Sequence, residues 1–386
     1  MNIGFDAKRM FKNDTGLGNY SRSLVHSLAK LYPKNFYHLF TPTGNNKYHI
    51  KNGDNLIIHT PNNWWHKKLT SLWRRKGIVK DIIQNKVSIF HGLSNELPLG
   101  IDKTSTKTIV TVHDVIFERY PETYHIDERY VHRFKVKKAC TIANAVIATS
   151  IQTKKDLIQY YQIPAEKIIV CYQSCNPIFK QLLLPNDLLI IREKYNLPPA
   201  YFLFVSSITK RKNLITICKA MVQIKDALNY PLVIIGNGKK EKEKVIRFMS
   251  SNGMLNKIIF LNDIAKAKNL DYVPNADLPA IYQMAKALIY PSFFEGFGIP
   301  LLEAMYSGLP VISSNTSSLP EVCEDAALYF NPTDVDTLCT HLLNIYNNDE
   351  LYQYLQQKGF KQAAKFTEEI FAKTVMDVYT NVLQNS

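Results

Sequence analysis

At 386 residues, with 46% hydrophobic and 21% charged side chains, the chain has the length of two domains and the composition of an ordinary globular protein. No apolar run is long enough to span a bilayer, and the six cysteines lie apart without a CxxC pair, which disfavours a membrane span, a zinc domain and a disulfide framework. The net charge of +14 sits in the first half: residues 1–180 hold 27 Lys and Arg against 13 Asp and Glu, residues 181–386 hold 20 of each, so an anionic partner is expected for the first half.

Met1-Asn2-Ile3-Gly4-Phe5-Asp6 reads as a strand and not as a secretory signal. With the scattered cysteines, this suits a reducing cytoplasm. Residues 1–180 then alternate apolar runs with helical patterns. Strands are expected at Asn2–Asp6, His38–Phe40, Asn55–His59, Ser88–Phe90, Thr108–Val112 and Ala145–Thr149, with helices at Gly18–Leu31 and Asp127–Ala143. A polar break with Pro177 and Pro185 precedes a second series: Tyr201–Val205, Leu232–Ile235, Lys257–Phe260, Ala287–Tyr290, Val311–Ser313 and Ala327–Phe330. Strand–helix alternation predicts α/β architecture with two doubly wound parallel sheets, an N-terminal domain over 1–180 and a C-terminal domain over 181–365. The last helical stretch, residues 366–386, is expected to pack back on the first domain. In such sheets ligands bind outside the carboxyl ends of the strands, and with two domains the cleft between them is the natural site.

The most informative stretch is Tyr290-Pro291-Ser292-Phe293-Phe294-Glu295-Gly296-Phe297-Gly298-Ile299-Pro300-Leu301-Leu302-Glu303. A buried strand runs into a glycine turn and a helix opens at Pro300, a residue suited to the first helical position. The uncapped N–H groups and the helix dipole make an anion site there. Glu295 stands at the mouth and Glu303 about one turn inside; a carboxylate can accept two hydrogen bonds from a vicinal diol such as a ribose. The plainer reading is a βα turn whose acids complement the dipole.

Four other segments can carry chemistry. Thr15-Gly16-Leu17-Gly18 lacks the third glycine of a dinucleotide fingerprint, since position 21 is Ser; a tight turn suffices to explain it. His113, after an apolar strand, can donate to a ligand, with Asp114 fixing its tautomer or capping the next turn; a structural histidine competes equally. Thr209-Lys210-Arg211-Lys212-Asn213 puts three cations in a βα turn, suited to a diphosphate or simply to solvent. Residues 63–76 hold all three tryptophans, Trp64, Trp65 and Trp73, among Lys67, Lys68, Arg74, Arg75 and Lys76. Trp65, Leu69, Leu72 and Trp73 would share one helical face. The segment suits an anionic membrane or acceptor surface. Stacking on single-stranded nucleic acid, or a helix packed on its own domain, would look alike. Asp334-Val335-Asp336 reads as helix capping and not as a metal site.

Taken together, these residues resemble family 4 of the retaining glycosyltransferases, whose GT-B fold consists of two Rossmann-like domains facing a cleft. The resemblance spans nearly the whole chain. Its most specific part is the E-x7-E motif from Glu295 to Glu303, continued by Gly308-Leu309-Pro310 and Ser317-Ser318-Leu319-Pro320-Glu321. It implies transfer of a sugar from a nucleotide-sugar donor with retention of configuration, with no cofactor and no essential metal. The donor would be held by Arg211 and Lys212 at the diphosphate, by Gly16, Phe297, Gly298 and Ile299 near it, by Val273 near the base and by Glu303 at the ribose. Glu295 and His113 would be the catalytic pair at the transferred sugar. GDP-mannose is the leading donor by the habit of the family, ahead of a UDP-sugar. The acceptor would be lipid-linked or saccharide, with an anionic membrane as partner, peripheral attachment in the cytoplasm and no nucleic acid. A non-catalytic saccharide binder and a GT-B sugar phosphorylase are the rival readings. Ser206 and Gln173-Ser174 depart from glycines common in the family.

Overall fold

The structure is a computed structural model that describes residues 1–13, 15–42, 48, 50–61, 64, 68–270 and 272–384. The chain divides into a first unit, Met1–Ser174 with Phe366–Ser386, and a second unit, Cys175–Lys365. The backbone thus leaves the first unit near residue 174 and returns to it at 366.

In the first unit seven parallel strands form one sheet: β1 (Asn2–Asp6), β2 (Phe36–Phe40), β3 (Leu56–His59), β4 (Ile89–Gly92), β5 (Lys107–Val112), β6 (Ala145–Ala148) and β7 (Ile168–Val170), in the order β3-β2-β1-β4-β5-β6-β7. The strand order reverses between β1 and β4. In the second unit β8 (Phe202–Val205), β9 (Leu232–Ile235), β10 (Ile258–Phe260), β11 (Ala287–Tyr290), β12 (Val311–Ser314) and β13 (Ala327–Phe330) follow the order β10-β9-β8-β11-β12-β13, reversing between β8 and β11. All pairings are parallel, and the central strands β4, β6, β9, β11 and β12 are buried along their whole length. Continuous apolar runs such as Ala287-Leu288-Ile289-Tyr290 follow from helices covering both faces of a parallel sheet. The edge strand β7 was not foreseen: it has three residues, two of them only half-buried, and carries no alternation to read.

The helices that bear on the sites and the core are α1 (Gly16–Leu31), α2 (Ile126–Ile142), α3 (Leu214–Gln223), α4 (Leu278–Gln283), α5 (Ile299–Tyr306), α6 (Asp349–Ala363) and α7 (Glu368–Gln384). The final helical stretch breaks at residues 364–366. Beyond that break α7 lies on α1 and sends Phe371, Ala372, Val375, Met376 and Tyr379 into the core of the first unit beside Tyr20, Leu24 and Leu28. One polar chain crosses this core. The Tyr379 hydroxyl meets His91 Nδ1 at 2.7 Å, His91 Nε2 meets Thr111 Oγ1 at 2.8 Å, and that hydroxyl meets Tyr20 OH at 3.0 Å. Burial, with the neighbouring His113 adding, pushes His91 down to about 3, so its ring is neutral and each nitrogen needs the partner it has.

Truncating one end of this chain strands the other. Tyr379→Phe leaves His91 Nδ1 without its partner and should cost about 1–3 kcal/mol in urea unfolding, whereas Thr380→Ala, one residue on, should cost less than about 1 kcal/mol.

Candidate functional site

The reversal between β8 and β11 brings two loops of the second unit together. After β8 the chain makes a tight turn at Lys210–Lys212 and enters α3 through Asn213, whose φ of 56° is left-handed. Asn tolerates that conformation. Its side-chain amide donates to the carbonyls of Pro291 (3.1 Å) and Pro332 (2.8 Å), and its Oδ1 accepts from Thr216 at 2.9 Å. The turn is thereby pinned to the loop that follows β11. Phe293 N–H donates to the Arg211 carbonyl at 2.9 Å, and the Arg211 guanidinium donates to the Phe294 carbonyl.

At the centre of these contacts Lys212 Nζ lies 2.5 Å from Glu295 Oε1 and 3.2 Å from the Tyr290 hydroxyl. Arg211 reaches the other carboxylate oxygen at 3.3 Å. Lys212 and Glu295 are both buried. Burial pushes the Glu295 carboxyl up, but Lys212 and then Arg211 outweigh it and hold the group below its ordinary range. Two cations against one carboxylate leave a positive excess at the carboxyl ends of the strands, beside the opening of α5. That helix starts at Gly298 (φ 119°), has no side-chain cap and no acid in its first turn, so its leading N–H groups add to the positive field.

Glu303 lies one turn inside α5 and takes no part in the ion pair. Its Oε2 accepts from the Tyr282 hydroxyl of α4 at 2.8 Å. Burial lifts the carboxyl to about 7, against the opposing pull of that hydrogen bond. The two acids of the motif therefore differ: Glu295 is held ionised, Glu303 is poised near neutrality. Val273 is buried, with its backbone N–H 3.4 Å from Asn262 Oδ1. Phe297 is buried and its carbonyl accepts from Ser318 at 2.8 Å.

Several residues of the site were given no individual role by the sequence. Ser317 accepts from the Glu295 N–H at 2.9 Å, and Ser318 Oγ faces the carbonyls of Glu295 (3.0 Å) and Phe297. Thr316 bonds the Ser292 carbonyl at 3.1 Å. These hydroxyls, from the loop after β12, set the path of the glycine turn; the hydroxyl run at 316–318 was the available clue. Asp277 is a structural acid, bonded to Tyr195 (2.6 Å) and Lys194 (2.7 Å). Asp334 caps its helix through the Thr337 N–H at 3.0 Å. No group of three potential metal ligands occurs among the described residues.

In the first unit, His113 ends β5. Its Nε2 lies 2.8 Å from the Leu93 carbonyl, so Nε2 carries the proton and Nδ1 presents its lone pair. Burial, opposed by that bond, lowers the ring to about 4 and keeps it neutral. Tyr20 meets it edge-on, with ring centroids 4.5 Å apart. Asp114 caps the next turn through the Ile116 N–H at 3.1 Å, and the Leu93 carbonyl sets the tautomer. Gly16 opens α1 with open space around it; Gly18 is the constrained glycine, since a Cβ there would meet the Asn13 carbonyl at 1.9 Å.

The tryptophan segment differs from its expected form. Trp65 and Lys67 lie outside the described residues. Trp64 is exposed under Lys68, whose ammonium stands 4.5 Å from the ring. Trp73 is fully buried and its indole N–H donates to Asp81 at 2.6 Å; it is a core residue, not a surface one. Leu69 and Leu72 remain exposed, so Trp73 does not share their face. The helix begins only at Thr70, with Leu69 non-helical, and the backbone widens into a π-type turn at Trp73–Gly77, so one 3.6-residue period does not run through the segment. Arg74 is tied to Asp6 (2.5 Å) and Glu96 (2.8 Å) and is likewise structural, while Arg75 forms no side-chain ion pair among the described residues.

Residues 15–177 match the family described as Glycosyltransferase Family 4, and residues 189–362 match Glycosyl transferases group 1. O-antigen chain mannosyltransferase B of Escherichia coli is 30% identical over 295 residues, 75% of this chain and 74% of its own length. This chain belongs to the group 1, family 4 glycosyltransferases. The serotype-specific mannosyltransferase WbdA of Escherichia coli is 28% identical over 80% of this chain, which spans only 38% of that longer protein. HepE of Anabaena, solved in complex with UDP-glucose, superimposes with a TM-score of 0.72 at 14% identity, covering 99% of this chain and 100% of its own, and shares the GT-B fold.

The buried pair and Glu303 give separate tests. Lys212→Met leaves Glu295 without its main partner and should destabilise the protein by about 3–5 kcal/mol in urea, with most of the loss recovered by adding Glu295→Gln. Glu303 has a folded value above its unfolded one, so the native state holds a proton that the unfolded chain releases between pH 4.5 and about 7. Stability from this group is full below that window and falls as pH rises through it, by up to about 1.4 kcal/mol per pH unit. The difference in unfolding free energy between wild type and Glu303→Gln, measured at pH 5 and pH 8, should change accordingly.

Proposed function

We propose that this glycosyltransferase is a retaining hexosyltransferase that moves mannose from GDP-mannose to a lipid-linked or saccharide acceptor in surface polysaccharide assembly, without a metal. The observation that carries the reading is the positive excess of Arg211 and Lys212 around Glu295 at the open N-terminus of α5. A nucleotide diphosphate leaving group gains negative charge as the glycosidic bond breaks, and preorganised cations and N–H groups favour that charge most in the transition state. Glu295, kept ionised, accepts hydrogen bonds from hydroxyls of the transferred sugar. Glu303 does the same for the ribose diol once deprotonated, and Val273 lines the base. His113, neutral and with a lone pair on Nδ1, is suited to accept a hydrogen bond from a sugar hydroxyl. Mannose is favoured because the two Escherichia coli relatives are named mannosyltransferases. The UDP-glucose complex of HepE supports a UDP-sugar as the second reading.

A thermal-shift comparison of GDP-mannose, UDP-glucose and UDP-galactose tests the donor. The true donor at about 100 times its dissociation constant adds about 2.7 kcal/mol of stability. The expected result is a shift with GDP-mannose that Lys212→Ala abolishes and Glu303→Ala weakens by tenfold or more in affinity. A product of inverted anomeric configuration by NMR would overturn the retaining assignment, and a shift unaffected by Lys212→Ala would overturn the site.

A further inference from the structure

A cavity of about 610 Å³ opens in the first unit, lined from the loops that follow β1 and β4, from residues 70–78 and from α2. It stands where the strand order of that sheet reverses, the place at which a doubly wound sheet receives a ligand. Its chemistry is divided. One part is cationic: Lys8, Arg74, Arg75, Lys135 and Lys138 against the carboxylates of Asp6 and Glu96. Those carboxylates are already engaged by Arg74 and, at 2.9 Å from Glu96, by Lys135. Lys8, Arg75 and Lys138 have no ion pair among the described residues. Burial and then the adjacent Arg74 lower Lys8, only partly opposed by Asp6 and Glu96, which Arg74 and Lys135 already engage.

The other part is apolar. Helix α2 turns Val136, Ala139 and Cys140 inward, yet its outer face carries Ile126, Tyr130, Val131 and Phe134, all more than half exposed. These fall at intervals of four, five and eight residues, one stripe down the helix. Tyr130, Val131 and Phe134 line the cavity and lead out of it. A small anion would use the cations and leave the stripe wet; an apolar peptide would use the stripe and bury three unpaired charges, which is costly.

We propose that this cavity holds the phosphorylated end of a long-chain lipid, with its phosphate on Lys8, Arg75 and Lys138 and its hydrocarbon along Tyr130, Val131 and Phe134. Each buried methylene strengthens binding about fourfold, so a short length of chain suffices to discriminate the lipid from its headgroup. The assignment deepens the proposed function by naming the acceptor as a lipid phosphate, and it rests on that reading only for the word acceptor.

The test is isothermal titration of the full chain with farnesyl diphosphate below its critical micelle concentration, beside inorganic pyrophosphate and vesicles of phosphatidylcholine with phosphatidylglycerol. Farnesyl diphosphate should bind at least tenfold more tightly than pyrophosphate, and Arg75→Glu and Phe134→Ser should each weaken it tenfold or more. Both side chains lie at the surface, and unchanged circular dichroism and an unchanged thermal shift with the sugar nucleotide verify that the variants fold. Equal affinity for pyrophosphate, binding indifferent to both variants, or binding to vesicles alone would each overturn the proposal. If farnesyl diphosphate binds as expected but no sugar nucleotide does, the donor reading fails and the lipid site stands.

Discussion

Lys212 and Glu295 are tolerable inside the second unit only as a pair. An isolated ammonium or carboxylate at that depth would shift to its neutral form or destabilise the fold by several kcal/mol. Their 2.5 Å contact requires that the turns after β8 and β11 lie side by side, which the strand order enforces. It also requires that both turns keep their shape. Asn213 pins one to the other, and the hydroxyls of Thr316, Ser317 and Ser318 hold the glycine turn from the opposite side. Charge, loop path and sheet topology are thus one constraint, and Arg211 supplies the positive charge that the pair itself cancels.

The two candidate sites treat their buried ionisable groups differently. That of the second unit keeps formal charges and neutralises them locally, leaving a carboxyl, Glu303, near its titration point. In the first unit, burial keeps His91 and His113 uncharged and hydrogen bonds fix their orientation. One cluster of its formal charges gathers around Arg74, at the mouth of the sheet, where the cations outnumber the acids, while Asp156 is buried in an ion pair with Arg119. Both arrangements use the carboxyl ends of a parallel sheet, one as a site for charge and one as a site for charge joined to an apolar surface.

Twelve of the thirteen strands among the described residues were legible, the central ones because a strand covered on both faces must be apolar throughout, as in Ala287–Tyr290. The edge strand Ile168–Val170 was not, although the equally short and equally half-buried edge strand Ile258–Phe260 was. The E-x7-E helix mouth could be read because strand, glycine turn, Pro300 and both acids are contiguous. Its supports could not: Tyr282, Asn213 and Ser318 reach it from 21 or more residues away, and spacing says nothing about such contacts. The error at Trp73 has a local cause, since Leu69 stands outside the helix that begins at Thr70 and the π-type turn starts at Trp73, so no single helical period links them. Gly16 drew attention where Gly18 carries the steric demand, because only the backbone shows which of two neighbouring glycines meets the Asn13 carbonyl.

The return of the chain to its first unit has a consequence for synthesis. The core around Tyr20, Leu24 and His91 needs Phe371, Val375 and Tyr379, which emerge from the ribosome about 200 residues after β7. At about 5–20 residues per second that is roughly 10–40 s. The second unit is continuous from 175 to 365 and can close as soon as it is made. The basic first unit meanwhile waits with an apolar groove open where α7 will lie, so vectorial folding favours completion of the second unit before the first, and the groove is the surface a chaperone would have to shield.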